Sequence, residues 1–207
     1  MWVWGKSNLS SRFCDNAYFD DIVPTIGVDF KYCQTTTLET PPRTVRFQVW
    51  DTSGQDRFLT LTTAYYRNCH GVFMCFDVTN RSSFEGLQAW YERLQSQCTV
   101  MPPLILIACK LDLVECNALR KEGTVLGSCR QVERSEADAW AKQHNCLCYL
   151  ETSARNNVNI TEAFQHLATY VANNTSQVLG GASHGRSGGN VVRLTSAEPR
   201  AKRRWRC

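Results

Sequence analysis

The sequence predicts an α/β protein: a mostly parallel sheet with one antiparallel edge strand and helices on both faces. Three observations carry that expectation. The runs "GVFMCFD" (71–77) and "LILIAC" (104–109) are almost continuously apolar, as strands buried on both faces are. Helical patterns alternate with the β-rich runs, the order that builds a parallel sheet. The stretch "VDFKYCQTTTLETPPRTVRFQVW" holds two β-rich runs around a Pro-Pro turn, hence a hairpin at a sheet edge.

The elements follow in order. Leu9 and Phe13 give "GKSNLSSRF" a helical spacing behind Gly5. The hairpin comes next, its second strand "TVRFQVW" at 44–50, and then the strand at 71–77. "SSFEGLQAWYERLQSQ" sets Phe84, Leu87, Trp90, Tyr91 and Leu94 on one helical face. The strand at 104–109 follows, and "RSEADAWAKQH" reads as a helix capped by Ser135. "LCYLE" (147–151) is a short fourth buried strand. "NITEAFQHLATYV" sets Ile160, Phe164, Leu167 and Val171 on one stripe. After Asn173 the chain turns to Gly, Ser, Asn and Arg without periodicity, and residues 174–207 read as a flexible basic tail behind a domain at 1–173.

Composition narrows the function classes. A chain of 207 residues, 43% hydrophobic, can bury one sizeable core. No apolar run approaches the ~18 residues that cross a bilayer. Eleven cysteines are scattered through apolar segments, as buried reduced thiols are. Zinc is the sharper alternative, but there is no C-x-x-C pair, and the C-x-C at Cys146–Cys148 lacks a partner pair at metal spacing. From Ala172 onward seven basic residues stand against one acidic, a charge of +6 within a chain of net +4, so the body is mildly acidic.

Chemistry concentrates just past the strands, where open α/β sheets bind ligands. Gly5-Lys6-Ser7 at a helix start have the form of the end of a phosphate-binding loop. Free helical amides favour an anion, lysine adds a point charge, and serine offers a hydroxyl to Mg²⁺. In "WDTSGQDRF" (50–58), Asp51 can hold Mg²⁺ through water, the Gly54 N–H can approach a γ-phosphate, and Gln55 can orient an attacking water. A plain turn after a strand is the alternative there. In "CKLDL" (109–113), Asp112 can accept two N–H bonds from a guanine edge while the Lys110 stem covers the ring, selecting GTP over ATP. In "ETSA" (151–154), the Ser153 and Ala154 amides can meet the base oxygen.

Together with "PTIGVDF" (24–30), "YYRN" (65–68) and "FDVTN" (76–80), these motifs resemble the small GTPases, and within them the Rab branch, from Gly5 to about Asn173. The resemblance implies a P-loop G-domain at 1–173, with GTP or GDP and Mg²⁺ as cofactors and slow GTP hydrolysis. It implies that Thr25 closes on Mg²⁺ and the γ-phosphate, that Tyr18 stacks on the base, and that Cys109 stands in the base loop. Phe30, Trp50 and Tyr65 would form an apolar surface read by effectors; a packed core cluster is the alternative for those aromatics. Its implied partners are effector, exchange and GTPase-activating proteins, with no nucleic acid. Its implied work is vesicle-mediated transport, on the cytosolic face of an endomembrane. Rab chains usually end in two lipid-bearing cysteines; here Cys207 alone, behind "AKRRW", would carry one prenyl group beside a polybasic arm.

The chain also departs from the family pattern. Where the family has asparagine, Cys109 offers a weaker hydrogen-bonding group, and "VECNALRKEGTVLGSC" lengthens the connection after Leu113. Only four residues precede Gly5, and Trp2 and Trp4 fall within the phosphate loop itself. The family's first strand, which lies between those matching 44–50 and 71–77, has no counterpart here. The expectation is a truncated domain with a gap and two unpaired inner strand edges. Two rival readings stay open: a pseudo-GTPase that binds proteins without cycling, and an ATP-using P-loop enzyme.

Overall fold

A computed structural model of the chain describes residues 5–21, 23–55, 58, 65–67, 69–118, 129–174 and 191–194. Strand β4 (Leu104–Cys109) is buried along its whole length. Its alternating side chains feed two cores: Ile105, Ile107 and Cys109 enter one, Leu106 and Ala108 the other. Strands β3 (Val72–Asp77) and β5 (Cys148–Glu151) flank it in parallel.

The expected hairpin is present. β1 (Val28–Thr36) and β2 (Thr44–Thr52) pair antiparallel from Val28↔Thr52 to Thr36↔Thr44. The Thr37 amide donates to Arg43 O at 2.9 Å and the Arg43 amide to Thr37 Oγ1 at 2.9 Å, closing the turn. β2 runs two residues past the apolar run, so Asp51 is its penultimate residue rather than the start of a loop.

Helices cover both faces. α1 (Lys6–Asp15) and α6 (Ile160–Asn173) close the first core, where Leu9, Ile160, Phe164, Leu167 and Val171 are all buried. The second core receives α2 (Arg81–Glu85), α3 (Leu87–Gln97) and α5 (Arg134–Gln143). α4 (Leu111–Ala118) follows β4.

Two helix expectations are corrected. The single helix expected across 82–97 breaks at Gly86, which ends α2 with its amide on Ser82 O at 3.0 Å and precedes α3. Glycine is the residue there least able to hold a helix interior. α5 begins at Arg134 after an extended Glu133, so Ser135 lies inside the helix and does not cap it.

The pairing divides into two three-stranded sheets, β1-β2-β6 and β3-β4-β5. β6 (Val191–Leu194) comes from the stretch read as aperiodic tail, and it runs parallel to β2 with Arg46↔Val191 and Val49↔Leu194 in register. Both inner edges were expected to be bare, and β2's is not: backbone groups of a sheet edge take whatever strand the chain brings to them. Between residues 49–53 and 71–75 lies a cavity of about 120 Å³. The remaining tail lies outside the described residues.

Phe164 ties the two sheets together. Its fully buried ring stacks on Phe13 of α1 at 3.6 Å between centroids and meets Phe47 of β2 edge-on at 5.7 Å and Phe73 of β3 at 4.7 Å. Phe164→Ala is expected to cost about 3–5 kcal/mol in urea unfolding, since no neighbour can fill the space of a ring held on three sides. A loss under about 1 kcal/mol would show that the sheets are held by something else.

Candidate functional site

The site begins at Gly5, which stands at the N-cap of α1 with φ of 84° and no side-chain cap. That left-handed conformation suits glycine, and the space does too. A methyl group on Gly5 would lie 2.9 Å from Cys109 Cβ and 3.3 Å from its Sγ. Gly5 and the base loop at Cys109 therefore touch, by packing rather than by a polar tether. Cys109 is buried, with the Cys75 thiol of β3 beside it.

In the first turn of α1, three oxygens converge. Ser7 Oγ lies 2.9 Å from Thr25 Oγ1 and donates to Asp51 Oδ2, and Thr25 Oγ1 donates to the same Oδ2 at 3.1 Å. Asp51 Oδ1 is buried and has no hydrogen-bond partner among the described residues. Burial pushes the Asp51 carboxyl above its ordinary range, against the nearby Lys6 charge and the two hydroxyl donors. Two hydroxyls and a carboxylate with an orphaned oxygen form a hard-oxygen set of the kind that suits Mg²⁺.

These groups border a cavity of about 440 Å³ lined by Ser7, Thr25, Asp29 and Asp51. A second cavity of about 370 Å³ is lined by Gly5, Tyr18, Cys109, Lys110, Asp112 and Ala154, and Asp21 borders both. Five of the six residues expected at the base thus share one space. The sixth, Ser153, stands behind it: its hydroxyl donates to Asp112 Oδ1 at 2.6 Å. Its amide donates to Val158 O at 3.2 Å, which corrects the expectation that this N–H faces the base.

Braces hold this wall in place. Lys110 has φ of 66°, and its ammonium pairs with Asp77 Oδ2 at 2.6 Å, so its stem is fixed beside the cavity. Asn8 clamps the loop that carries Tyr18, donating to Phe19 O at 2.9 Å and accepting from the Phe19 amide at 3.1 Å. Burial and the charges of Asp20 and Asp112 raise the Tyr18 hydroxyl. Arg12 Nε donates to Ala154 O at 2.7 Å, joining α1 to the 151–154 loop. Burial pushes Glu151 up, but the Arg130 guanidinium and the Tyr149 hydroxyl together hold it below the usual carboxylate range. Asn8, Arg12 and Asp77 were missed in the sequence. Their partners lie far along the chain or across a loop, and no local pattern marks them.

Three expected residues stand apart. Lys6 lines the cavity of about 120 Å³ between the two sheets instead. Among the described residues lining the two cavities, neither Gly54 nor Gln55 is found. Gln55 starts a turn, its amide on Ser53 Oγ at 3.2 Å and its carbonyl accepting from Phe58 at 3.0 Å. The three aromatics do come together: Phe30 to Trp50 at 4.5 Å and Trp50 to Tyr65 at 4.8 Å, all half-buried, with exposed Tyr32 edge-on to Phe30. Cys207, Asp56, Trp2 and Trp4 lie outside the described residues. No cluster of three or more His, Cys, Asp or Glu able to hold a metal occurs among the described residues.

Comparison with known proteins places these features. A model of the Ras family matches residues 3–173. The chain is 36% identical to the GTP-binding protein YPTM1 of Zea mays over 190 residues, covering 92% of this chain and 82% of that protein. It is 36% identical to the GTP-binding protein YPT1 of Saccharomyces cerevisiae over 84% of this chain and 76% of that one. With the Ras-related protein Rab-13 of Rattus norvegicus it shares 34% identity over 94% of this chain and 83% of that one.

The buried carboxylate sets a pH dependence. Folded Asp51 holds its proton more tightly than the unfolded chain does. Its contribution therefore favours folding below the ordinary carboxylate range and is lost as pH rises through the raised value. Without added metal or nucleotide, Asp51→Asn should raise the melting temperature at pH 7 and have little effect near pH 4. Equal shifts at both pH values would show that Asp51 is not the titrating group.

Proposed function

The chain belongs to the Ras family, in its Rab branch of small GTPases, and from that premise we propose that it is a GTP-binding switch with slow hydrolysis that regulates vesicle-mediated membrane trafficking. One observation carries the reading. The oxygens of Ser7, Thr25 and Asp51 meet at the start of α1, and the cavity beside them holds Tyr18, Lys110 and Asp112.

The roles follow from chemistry. Lys6 and the uncapped amides behind Gly5 oppose the negative charge of phosphates. Ser7, Thr25 and Asp51 would hold Mg²⁺, which supplies charge neutralisation at the β- and γ-phosphates when bound. Asp112, braced by Ser153, accepts from a guanine edge, and the Lys110 stem and Tyr18 ring cover the base. Thr25 senses the γ-phosphate, because its hydroxyl is shared between that site and Asp51. Gln55 orients the attacking water. No arginine is assigned to the reaction in cis, so fast turnover needs a partner's arginine, to which about 10⁵-fold is attributed in Ras, the standard example. Trp50 is next to Asp51 on β2 and Phe30 stands on β1, just after Thr25, so the Phe30–Trp50–Tyr65 stripe can report the bound nucleotide to effectors. The tail, ending in Cys207, attaches the switch to a membrane by one prenyl group and its basic residues.

A second reading has a specific observation behind it. The packing contact of Cys109 on Gly5, without a polar tether, favours a pseudo-GTPase that binds nucleotide weakly or not at all. Mg²⁺-dependent binding of a fluorescent guanine nucleotide, with ATP as competitor, separates the two. Saturable binding that ATP does not displace supports the switch, and no binding supports the pseudo-GTPase.

Gln55→Leu is expected to slow single-turnover GTP hydrolysis at least tenfold and to change nucleotide affinity by no more than a few-fold. An unchanged rate would remove Gln55 from the reaction. Cys109→Asn is expected to slow GDP and GTP dissociation equally, by about 5- to 150-fold, or roughly 1–3 kcal/mol, since it restores a polar tie to Gly5 without touching the γ-phosphate. Dissociation that stays the same would mean that packing alone serves the base loop.

A further inference from the structure

Nine cysteine side chains fall among those the structure describes, none of them in a disulfide. Six of these stand as three neighbouring pairs: Cys14 with Cys33, Cys75 with Cys109, and Cys69 with Cys98. The pairs differ in access and in freedom to move. Cys75 and Cys109 are buried under Gly5. Cys14 and Cys33 are fixed, one in the last turn of α1 and the other inside the β1–β2 ladder.

Cys69 and Cys98 are different. Both are half-buried, within reach of small solutes. Cys69 lies in the irregular stretch between the 65–67 turn and β3. Cys98 ends α3 in extended conformation, φ of −103° and ψ of 128°. Both converge on one acceptor: the Cys69 amide donates to Tyr66 O at 3.5 Å and Cys98 Sγ to the same oxygen at 3.3 Å. Arg67 Nη2 bridges the same two segments to Gln97 Oε1 at 3.4 Å. A disulfide needs the two sulfurs at ~2.05 Å, and their shared neighbour Tyr66 O brings the two residues into one locality.

We propose that Cys69 and Cys98 form a reversible dithiol–disulfide pair that staples the Tyr65–Tyr66 segment to the end of α3. The Cys69 thiol lowers its neighbour, so that Cys98 titrates at about 7 and is the nucleophile. The neighbouring Cys98 and burial raise Cys69, which stays protonated as the resolving thiol. The oxidant is a small-molecule disulfide of the glutathione class. The Cys98 thiolate attacks one of its sulfurs and displaces one thiolate, leaving a mixed disulfide. Cys69 gives up its proton and attacks the Cys98 sulfur, releasing the second thiol. Two protein thiols lose two electrons and two protons, and the oxidant gains both. The consequence reaches the surface, because Tyr65 stacks on Trp50 and Tyr66 packs with Leu94 of α3. Oxidation would hold that aromatic stripe in one arrangement, whatever nucleotide is bound.

The test equilibrates the purified full chain with excess oxidised glutathione, then alkylates free thiols and maps peptides by mass. The expected result is a cross-link between the peptides carrying Cys69 and Cys98, removed by dithiothreitol, with the circular dichroism of the fold unchanged. Cys69→Ser should trap one glutathione on Cys98, and Cys98→Ser should leave Cys69 unmodified. If either serine variant fails to fold, the alanine variant serves. The alkylation rate of Cys98 in the reduced chain should reach half its plateau near pH 7. Full alkylation of both cysteines after oxidation, or a Cys14–Cys33 link formed in preference, would overturn the proposal.

Discussion

The molecule depends on a contact between rings. The described strands form two sheets with no ladder between them, so strand pairing does not join the halves. Phe164 does, because one side chain on α6 touches α1, β2 and β3 at once. Dispersion and apolar burial act in every direction, which is why a single ring can bridge elements whose backbones do not align. The same contact sets the direction of α1, and α1 carries Lys6 and Ser7.

The site inherits its position from that packing. Leu9 anchors the first turn of α1 in the core, and Ser7, two residues earlier, is thereby aimed at Asp51 on β2. β2 delivers Asp51, β3 Asp77 and β4 Cys109, all at their carboxyl ends, and parallel strands put those ends on one side. Placement there has an electrostatic cost. Asp51 is buried with one oxygen unsatisfied, and such a carboxylate is destabilising until something positive approaches. The unfavourable group lies where the proposed metal would act. Glu151, on β5 of the other sheet, is half-buried and paired with Arg130 and Tyr149. One carboxylate is strained for binding and the other satisfied for structure.

Cysteine is used in an unusual way throughout. Thiols meet thiols between α1 and β1, between β3 and β4, and beside the end of α3. A thiol is a small hydrophobe with a weak donor, so such pairs fill space at little polar cost. The Cys75–Cys109 pair packs beneath Gly5 in this way.

Much of this was legible in the residues themselves. Continuous apolar runs located β3 and β4, and the stripe Ile160–Phe164–Leu167–Val171 located α6, because burial on one or both faces leaves a periodic record in sequence. The ordered motifs gave the family and the residues that line both cavities, since phosphate and base chemistry restricts residue types at fixed spacing. Tertiary structure decided what depends on distant partners. The break at Gly86, the Lys110–Asp77 pair, the Asn8 clamp on Phe19 and the turning of the Ser153 amide onto Val158 have no local signature. β6 has none either: Val191–Leu194 is too short to declare a strand and becomes one only because the open edge of β2 accepts it. Local pattern encodes which face of an element is apolar, and only the closed fold determines which groups are left to meet.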